Sequence, residues 1–300
     1  MLEIKNILCP IDFSEFSVRA YQHASSLAEH YRAKLVAQHI VELSRYPYAE
    51  YAASAGDYAE FCRALGEGGK EQLREFVKKH THGDVQPELV VHEGVAPDCI
   101  LSLAQAQKVD LIVMGTHGRR GYDRFVLGSV TNRVMRRTPC PVLAVCKTPH
   151  DSVSAGMAAG EPRLYARHLN RILFCTDFSE NSERALSYAI SATEEYDAEL
   201  TLLHVLEEVP SSARTKEAMA TAAEQLDKLV PPEARKSLKI KTAVRIGKPY
   251  QQIIQLAEET QVDMVAMGVR GRGALDLAVF GSTTYRVLQL GPCPVLAVHI

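Results

Sequence analysis

Gly115-Thr116-His117-Gly118, nine further residues, then Gly128-Ser129: this stretch decides how the chain is read, because it occurs twice. It returns 153 positions later as Gly268-Val269-Arg270-Gly271, nine residues, then Gly281-Ser282. Each copy follows a short apolar run, Leu111-Ile112-Val113-Met114 or Met264-Val265-Ala266-Met267, and opens a segment of helical pattern. A strand, a glycine turn and a helix start bring free backbone N–H groups and the positive end of a helix dipole to one spot. Phosphate binds readily there.

The repeat extends outward from the glycines. Ile7-Leu8 through Asp12-Phe13-Ser14-Glu15 matches Ile172-Leu173 through Asp177-Phe178-Ser179-Glu180 at an offset of 165, and His39-Ile40-Val41-Glu42 matches His204-Val205-Leu206-Glu207 at the same offset. Farther on the offset is 153: Gly94 with Gly247, Asp110 with Asp263, and Cys140-Pro141-Val142-Leu143-Ala144-Val145 with Cys293-Pro294-Val295-Leu296-Ala297-Val298. The difference places about twelve extra residues between Glu42 and Gly94, near the tyrosine-rich stretch from Tyr46 through Tyr48, Tyr51 and Tyr58 to Phe61.

Each half alternates strand and helix. In the first, strands are expected over 4–9, 34–41, 86–91, 110–115 and 141–146, with helices over 15–31, 59–80, 96–107 and 128–137. In the second, strands are expected over 170–175, 198–206, 238–245, 263–268 and 294–299, with helices over 180–195, 214–230, 249–260 and 281–289. Runs such as Leu111-Ile112-Val113-Met114 are apolar on both faces, as a parallel sheet covered by helices requires. The fold class is therefore α/β: two tandem doubly wound, Rossmann-like parallel sheets of five strands. Domains are expected at 1–147 and 169–300. The intervening 148–168, with Ser152-Val153-Ser154-Ala155-Gly156, lacks periodicity and reads as a linker.

These residues resemble the universal stress protein family in its tandem two-domain, ATP-binding form. The carriers are Pro10-Ile11-Asp12-Phe13-Ser14, Asp110-Leu111-Ile112-Val113-Met114-Gly115, the Gly/Ser motif and Pro139-Cys140-Pro141-Val142. The resemblance implies strand order 3-2-1-4-5 and nucleotide at the motif. It also implies antiparallel pairing of the two last strands, which would make one chain a pseudo-dimer. The second half departs from the pattern where Cys175-Thr176 stands in place of Pro10-Ile11.

With that strand order, a crevice opens at the carboxyl ends of strands 1 and 4. Asp12 and Gly115 should line it in the first half, and Asp177 and Gly268 in the second. Gly115, Gly118, Gly268 and Gly271 let backbone approach phosphates without a Cβ in the way. Gly128-Ser129 and Gly281-Ser282 stand at the start of the fourth helix, where Ser can add a bond to phosphate or serve as the N-cap. Asp12 and Asp177 suit an adenine amino group or ribose hydroxyls, or they cap the first helix in competition with Ser14 and Ser179. By the family pattern, Val41 and Leu206 touch the base. His117, Arg119, Arg120 and Arg124 surround the first motif and Arg270 and Arg272 the second, so the first should hold triphosphate more tightly. His39 and His204 read as packed strand residues. The tyrosine-rich stretch reads as a loop packed on its own domain, against the alternatives of a lid or a partner surface.

Composition bounds the rest. The 300 residues are 46% hydrophobic and carry a net charge of -2, so no global field draws the chain to nucleic acid or an anionic membrane. No apolar run reaches the ~20 residues of a membrane span. The strand at Ile4–Cys9 leaves no room for a signal peptide. Seven Cys without C-x-x-C spacing read as small buried hydrophobes in a reducing cytoplasm. The absence of G-x-x-x-x-G-K-[ST] argues against fast hydrolysis. The expectation is a cytoplasmic, ATP-binding stress-response protein, with or without Mg²⁺, acting as a nucleotide-responsive switch or scaffold rather than an enzyme. Slow ATP hydrolysis stays open, as does a homodimer beyond the internal pairing. The rival is a nucleotide-free interaction module whose glycines serve only folding.

Overall fold

A computed structural model describes residues 3–43, 55–81, 83–118, 127–146, 169–207, 212–269 and 281–298. The linker 148–168, Tyr46, Tyr48 and Tyr51, and Arg119, Arg120, Arg124, Arg270, Gly271 and Arg272 lie outside the described residues.

The first half runs β1 (Asn6–Ile11), α1 (Glu15–Tyr31), β2 (Lys34–Val41), α2 (Ala55–His80), β3 (Glu88–Glu93), α3 (Ala96–Ala106), β4 (Leu111–Gly115), α4 (Ser129–Arg137) and β5 (Val142–Val145). The second runs β6 (Arg171–Thr176), α5 (Glu180–Tyr196), β7 (Glu199–Leu206), α6 (Ser212–Leu229), α7 (Pro232–Ser237), β8 (Lys239–Ile246), α8 (Pro249–Thr260), β9 (Met264–Gly268), α9 (Ser282–Leu290) and β10 (Val295–Val298). Three details differ from the sequence expectation. β1 continues through Pro10 to Ile11, because both pair with β2. Tyr58 and Phe61 belong to α2 rather than to a loop. The short α7 is additional, started by Pro232 in its first turn, where the missing N–H costs nothing.

The strands form one ten-stranded sheet, ordered β3-β2-β1-β4-β5-β10-β9-β6-β7-β8. Within each half all pairings are parallel in the order 3-2-1-4-5. The halves join at an antiparallel seam, where Val295, Leu296 and Ala297 pair with Ala144, Leu143 and Val142. A four-residue apolar strand buries its hydrogen-bonding edge against its own counterpart, which removes an exposed edge from each half. One ladder differs between the halves. β1 pairs with β4 only at Ile7↔Leu111 and Leu8↔Ile112, whereas β6 pairs with β9 from Ile172↔Met264 through Cys175↔Met267.

Helices cover both faces. On one, Ala20, Tyr21, Ala24, Leu27 and Ala28 recur at helical spacing along α1 and pack with Leu73 and Phe76 of α2, and with Ala185 and Ala189 of α5. On the other, Ile100, Val134 and Met135 of α3 and α4 share a core with Ile253, Leu256, Val287 and Leu288 of α8 and α9. Each core runs across the seam. The C-terminal ends of α1 and α5 also meet there: the His30 ring stacks on Tyr196 at 4.7 Å, and His30 Nε2 lies 2.9 Å from Glu195 Oε1.

Two predictions follow from this packing. Leu143 is 2% exposed at the seam, so Leu143→Ala should cost about 2–5 kcal/mol in a single urea transition for both halves; two separated transitions would contradict a shared core. Burial also raises the Cys140 thiol from 9.0 to about 11, and pushes Cys9, Cys175 and Cys293 upward in the same way. Unfolded thiols ionise first, so this stabilisation is full below pH 9 and drains as pH rises toward 11. The urea midpoint should hold below pH 9 and fall above it; a midpoint flat to pH 11 would contradict this burial.

Candidate functional site

The site begins at a strained turn. Phe13 follows β1 with φ +65°, and Phe178 follows β6 with φ +59°. A bulky residue in this left-handed region costs about 1–3 kcal/mol. The surroundings hold it there. Asp12 Oδ1 accepts the Ser14 N–H at 3.0 Å and the Ser14 hydroxyl at 2.6 Å. Ser14 in turn caps α1 by accepting from the Ser17 N–H. The Phe13 ring packs on His39 at 4.5 Å, and His39 Nδ1–H donates to the Ile11 carbonyl at 2.8 Å. The second half repeats every element: Asp177 on Ser179, Ser179 as cap, Phe178 against His204 at 4.4 Å, and His204 Nδ1–H to the Thr176 carbonyl. Ser14 and Ser179 are thus the caps, and each aspartate secures its cap. The packed histidines do more than fill space, because they pin the end of the strand from which the aspartate projects.

The second component is the start of α4. Gly128, not Ser129, occupies the N-cap, and no side chain caps the helix; Gly281 and Ser282 repeat this at α9. Both serines therefore sit in the first helical turn, among N–H groups that have no intrahelical partner. Two contacts aim this turn at the end of β4. The Gly128 N–H donates to the Thr116 carbonyl at 2.8 Å, and Thr131 Oγ1 donates to the Gly115 carbonyl at 2.8 Å. Gly281 to Val269 and Thr284 to Gly268 are the counterparts. Thr131 and Thr284 are each 3% exposed. They escaped the sequence reading, although their recurrence two positions after each motif serine was there to be seen.

Asp12, Val41, Gly115, His117, Gly118, Gly128 and Ser129 converge on one cavity of about 720 Å³ at the carboxyl ends of β1, β2 and β4. Pro10, Ile11 and Met114 also line it, as do Glu42 and Gln72. His117 Nδ1 is hydrogen-bonded to the Thr116 hydroxyl at 2.9 Å, and its ring lies 5.1 Å from Phe16. Glu42 Oε1 accepts the Ala96 N–H at 3.3 Å, which places this carboxylate at the start of α3. In the second half Asp177 follows β6, Leu206 ends β7, Gly268 ends β9, and Gly281-Ser282 opens α9. Among the described residues no group of His, Cys, Asp or Glu is arranged to hold a metal ion.

Gly115 and Gly118 also have work within the fold. A Cβ on Gly115 would stand 2.7 Å from Phe16 Cβ and 3.1 Å from its backbone, so this glycine admits the first turn of α1. Gly268 does the same for α5, where a Cβ would stand 2.9 Å from the Asn181 carbonyl oxygen. A Cβ on Gly118 would stand 2.7 Å from Asp12 Oδ2, so Gly118 makes room for the site's carboxylate.

Comparisons with known proteins agree with this architecture. The model of the universal stress protein family matches residues 3–145 and again 168–299. A universal stress protein of Methanocaldococcus jannaschii is 36% identical over 143 residues, which span 48% of this chain and 82% of that one. A putative universal stress protein of Staphylococcus haemolyticus is 33% identical over 147 residues, 48% of this chain and 86% of that one. Among solved structures, a universal stress protein from Archaeoglobus fulgidus covers 99% of each chain with a TM-score of 0.70 at 21% identity, a likeness of fold.

The close approach at Gly115 and Gly268 makes a direct prediction. Gly115→Ala and Gly268→Ala should each lower unfolding free energy by about 1–3 kcal/mol, read by urea titration. An unchanged midpoint would mean that the helix does not depend on that approach.

Proposed function

We propose, from the premise that this chain belongs to the universal stress protein family, that it binds an adenine nucleotide and responds to it as a switch or scaffold rather than turning it over. The observation that carries this reading is the single cavity onto which seven separately placed residues of the first half converge. Its volume is ample for a nucleotide, and it lies where a doubly wound sheet opens at its switch point.

The chemistry of the walls supports a division of labour. At one side, the α4 start offers N–H groups with no intrahelical partner, the Ser129 hydroxyl and the positive end of the helix dipole, all suited to phosphate oxygens. Arg136 and Arg137 occupy the last turn of the same helix, complementing its negative end. At the other side, Ile11, Val41 and the Asp12 carboxylate offer an apolar surface and an acceptor, suited to a base or ribose. Mg²⁺ would accompany the phosphates from solution, since no cluster of ligands among the described residues would hold it alone.

A binding role is favoured over catalysis by what the cavity's carboxylates already do. Asp12 holds Ser14, and Glu42 faces the N–H of Ala96. The described residues lining the cavity include no lysine. The cytoplasm is the compartment this reading implies, with the domains at 1–147 and 169–300 joined by 148–168.

The test is direct. Protein purified without added nucleotide should release an adenine nucleotide on heat denaturation, read by HPLC. Failing retention, ATP with Mg²⁺ at a hundredfold excess over its Kd should raise stability by about 2.7 kcal/mol. Neither released nucleotide nor a thermal shift would favour the rival reading, an interaction module that binds none.

A further inference from the structure

Helix α2 carries glycine at positions 66, 68 and 69, inside a helix of 26 residues. Glycine is the poorest helix former after proline, because it gives up the most backbone freedom. The equivalent helix α6, aligned by the buried Leu73 and Leu226, has Met219, Thr221 and Ala222 at these positions, so such a helix forms without glycine there. Packing accounts for Gly69. A Cβ on it would stand 3.2 Å from Val41 Cγ2 and 3.3 Å from His39 Cδ2, tight against β2. On Gly66 a Cβ would make an ordinary contact with Glu93 Oε1 at 3.5 Å. On Gly68 it would meet nothing within 4 Å. Gly68 instead forms part of the cavity wall.

That wall has a definite place in the sheet. Ala64, Gly68 and Gln72 recur every fourth residue and so share one face of α2; all three line the cavity, with Leu65 and Gly69 beside them. α2 lies over β2, where Gly69 meets Val41, and β1 separates β2 from β4. The start of α4 is tied to the end of β4. The turn suited to phosphate and the α2 wall therefore stand on opposite sides of β1, with Asp12, which follows β1, between them. A ligand with its phosphates on α4 and its sugar past Asp12 brings its far end to α2. There Gly68 leaves the helix backbone bare, open to a flat ring. Leu65 adds apolar surface, and the Gln72 amide can both donate to and accept from a ring's polar edge.

From this we infer that α2 is the base-side wall of the nucleotide site, and that Gly68 is the residue that admits the base, by keeping the helix surface open to an aromatic ring. The inference rests on the nucleotide-binding reading above and adds to it a determinant outside the repeated glycine motif.

Two measurements on the full chain test it. 8-azido-ATP carries its photoreactive group on the base, so irradiation followed by peptide mapping should find label on α2 between Ala64 and Gln72. Gly68→Leu puts a branched side chain into the space the ring would take. It should leave the urea midpoint equal or higher, since leucine is the better helix former, and weaken ATP binding at one site of the chain by about tenfold. ATP binding with no label on α2, or a Gly68→Leu chain that binds ATP as tightly as its parent, would overturn the inference while nucleotide binding stood. So would a lowered midpoint, which would give Gly68 a packing role instead. No binding of ATP by the parent chain would overturn both.

Discussion

A carboxylate that captures the serine two residues ahead of it holds the rest in place. With Asp12 on Ser14 and Asp177 on Ser179, the chain leaves a central strand, passes a left-handed phenylalanine and enters a helix within three residues. The same carboxylate does two things at once. It fixes where α1 or α5 begins, and hence how closely that helix lies on the strand ending in Gly115 or Gly268. It also stands at the mouth of the crevice. Fold and cavity are therefore not separable in the first half, because Asp12, which lines the cavity, is also the group that orders the turn.

The architecture was legible because it is written in periodicity, which is local. Apolar runs, helical stripes and the paired motif located all ten strands, and the antiparallel meeting of Val142–Val145 with Val295–Val298 followed from the family resemblance. What stayed hidden is three-dimensional. That Gly115 yields to Phe16 depends on how a helix from elsewhere in the chain crosses the strand. That Ser129 is not the cap depends on which residue leaves helical geometry first, and glycine reads the same on either side of that boundary. Thr131 reaching back to the Gly115 carbonyl spans sixteen residues that local pattern does not connect. Sequence did flag the exchange of Pro10 for Cys175, and the structure shows what goes with it: a shorter run of pairing between β1 and β4 than between β6 and β9.

Duplication gives such a chain a freedom that a symmetric pair of identical subunits lacks. Both copies keep the strained turn, the pinning histidine and the threonine that ties helix to strand. The copies differ at Pro10 against Cys175 in the first strand, and in the length between the second and third strands.

The contact between the ends of α1 and α5 shows the same freedom at the axis. Positions 30 and 195 are each other's equivalents, as are Tyr31 and Tyr196. In a true homodimer a residue on the twofold meets its own twin, so this place would hold two imidazoles or two carboxylates. Twin carboxylates would repel, and twin imidazoles would gain no opposite charge. Joining the copies in one polypeptide lets one side evolve a base and the other an acid, and His30 beside Glu195 is that outcome. At this contact each half is consequently fitted to its sibling rather than to a copy of itself.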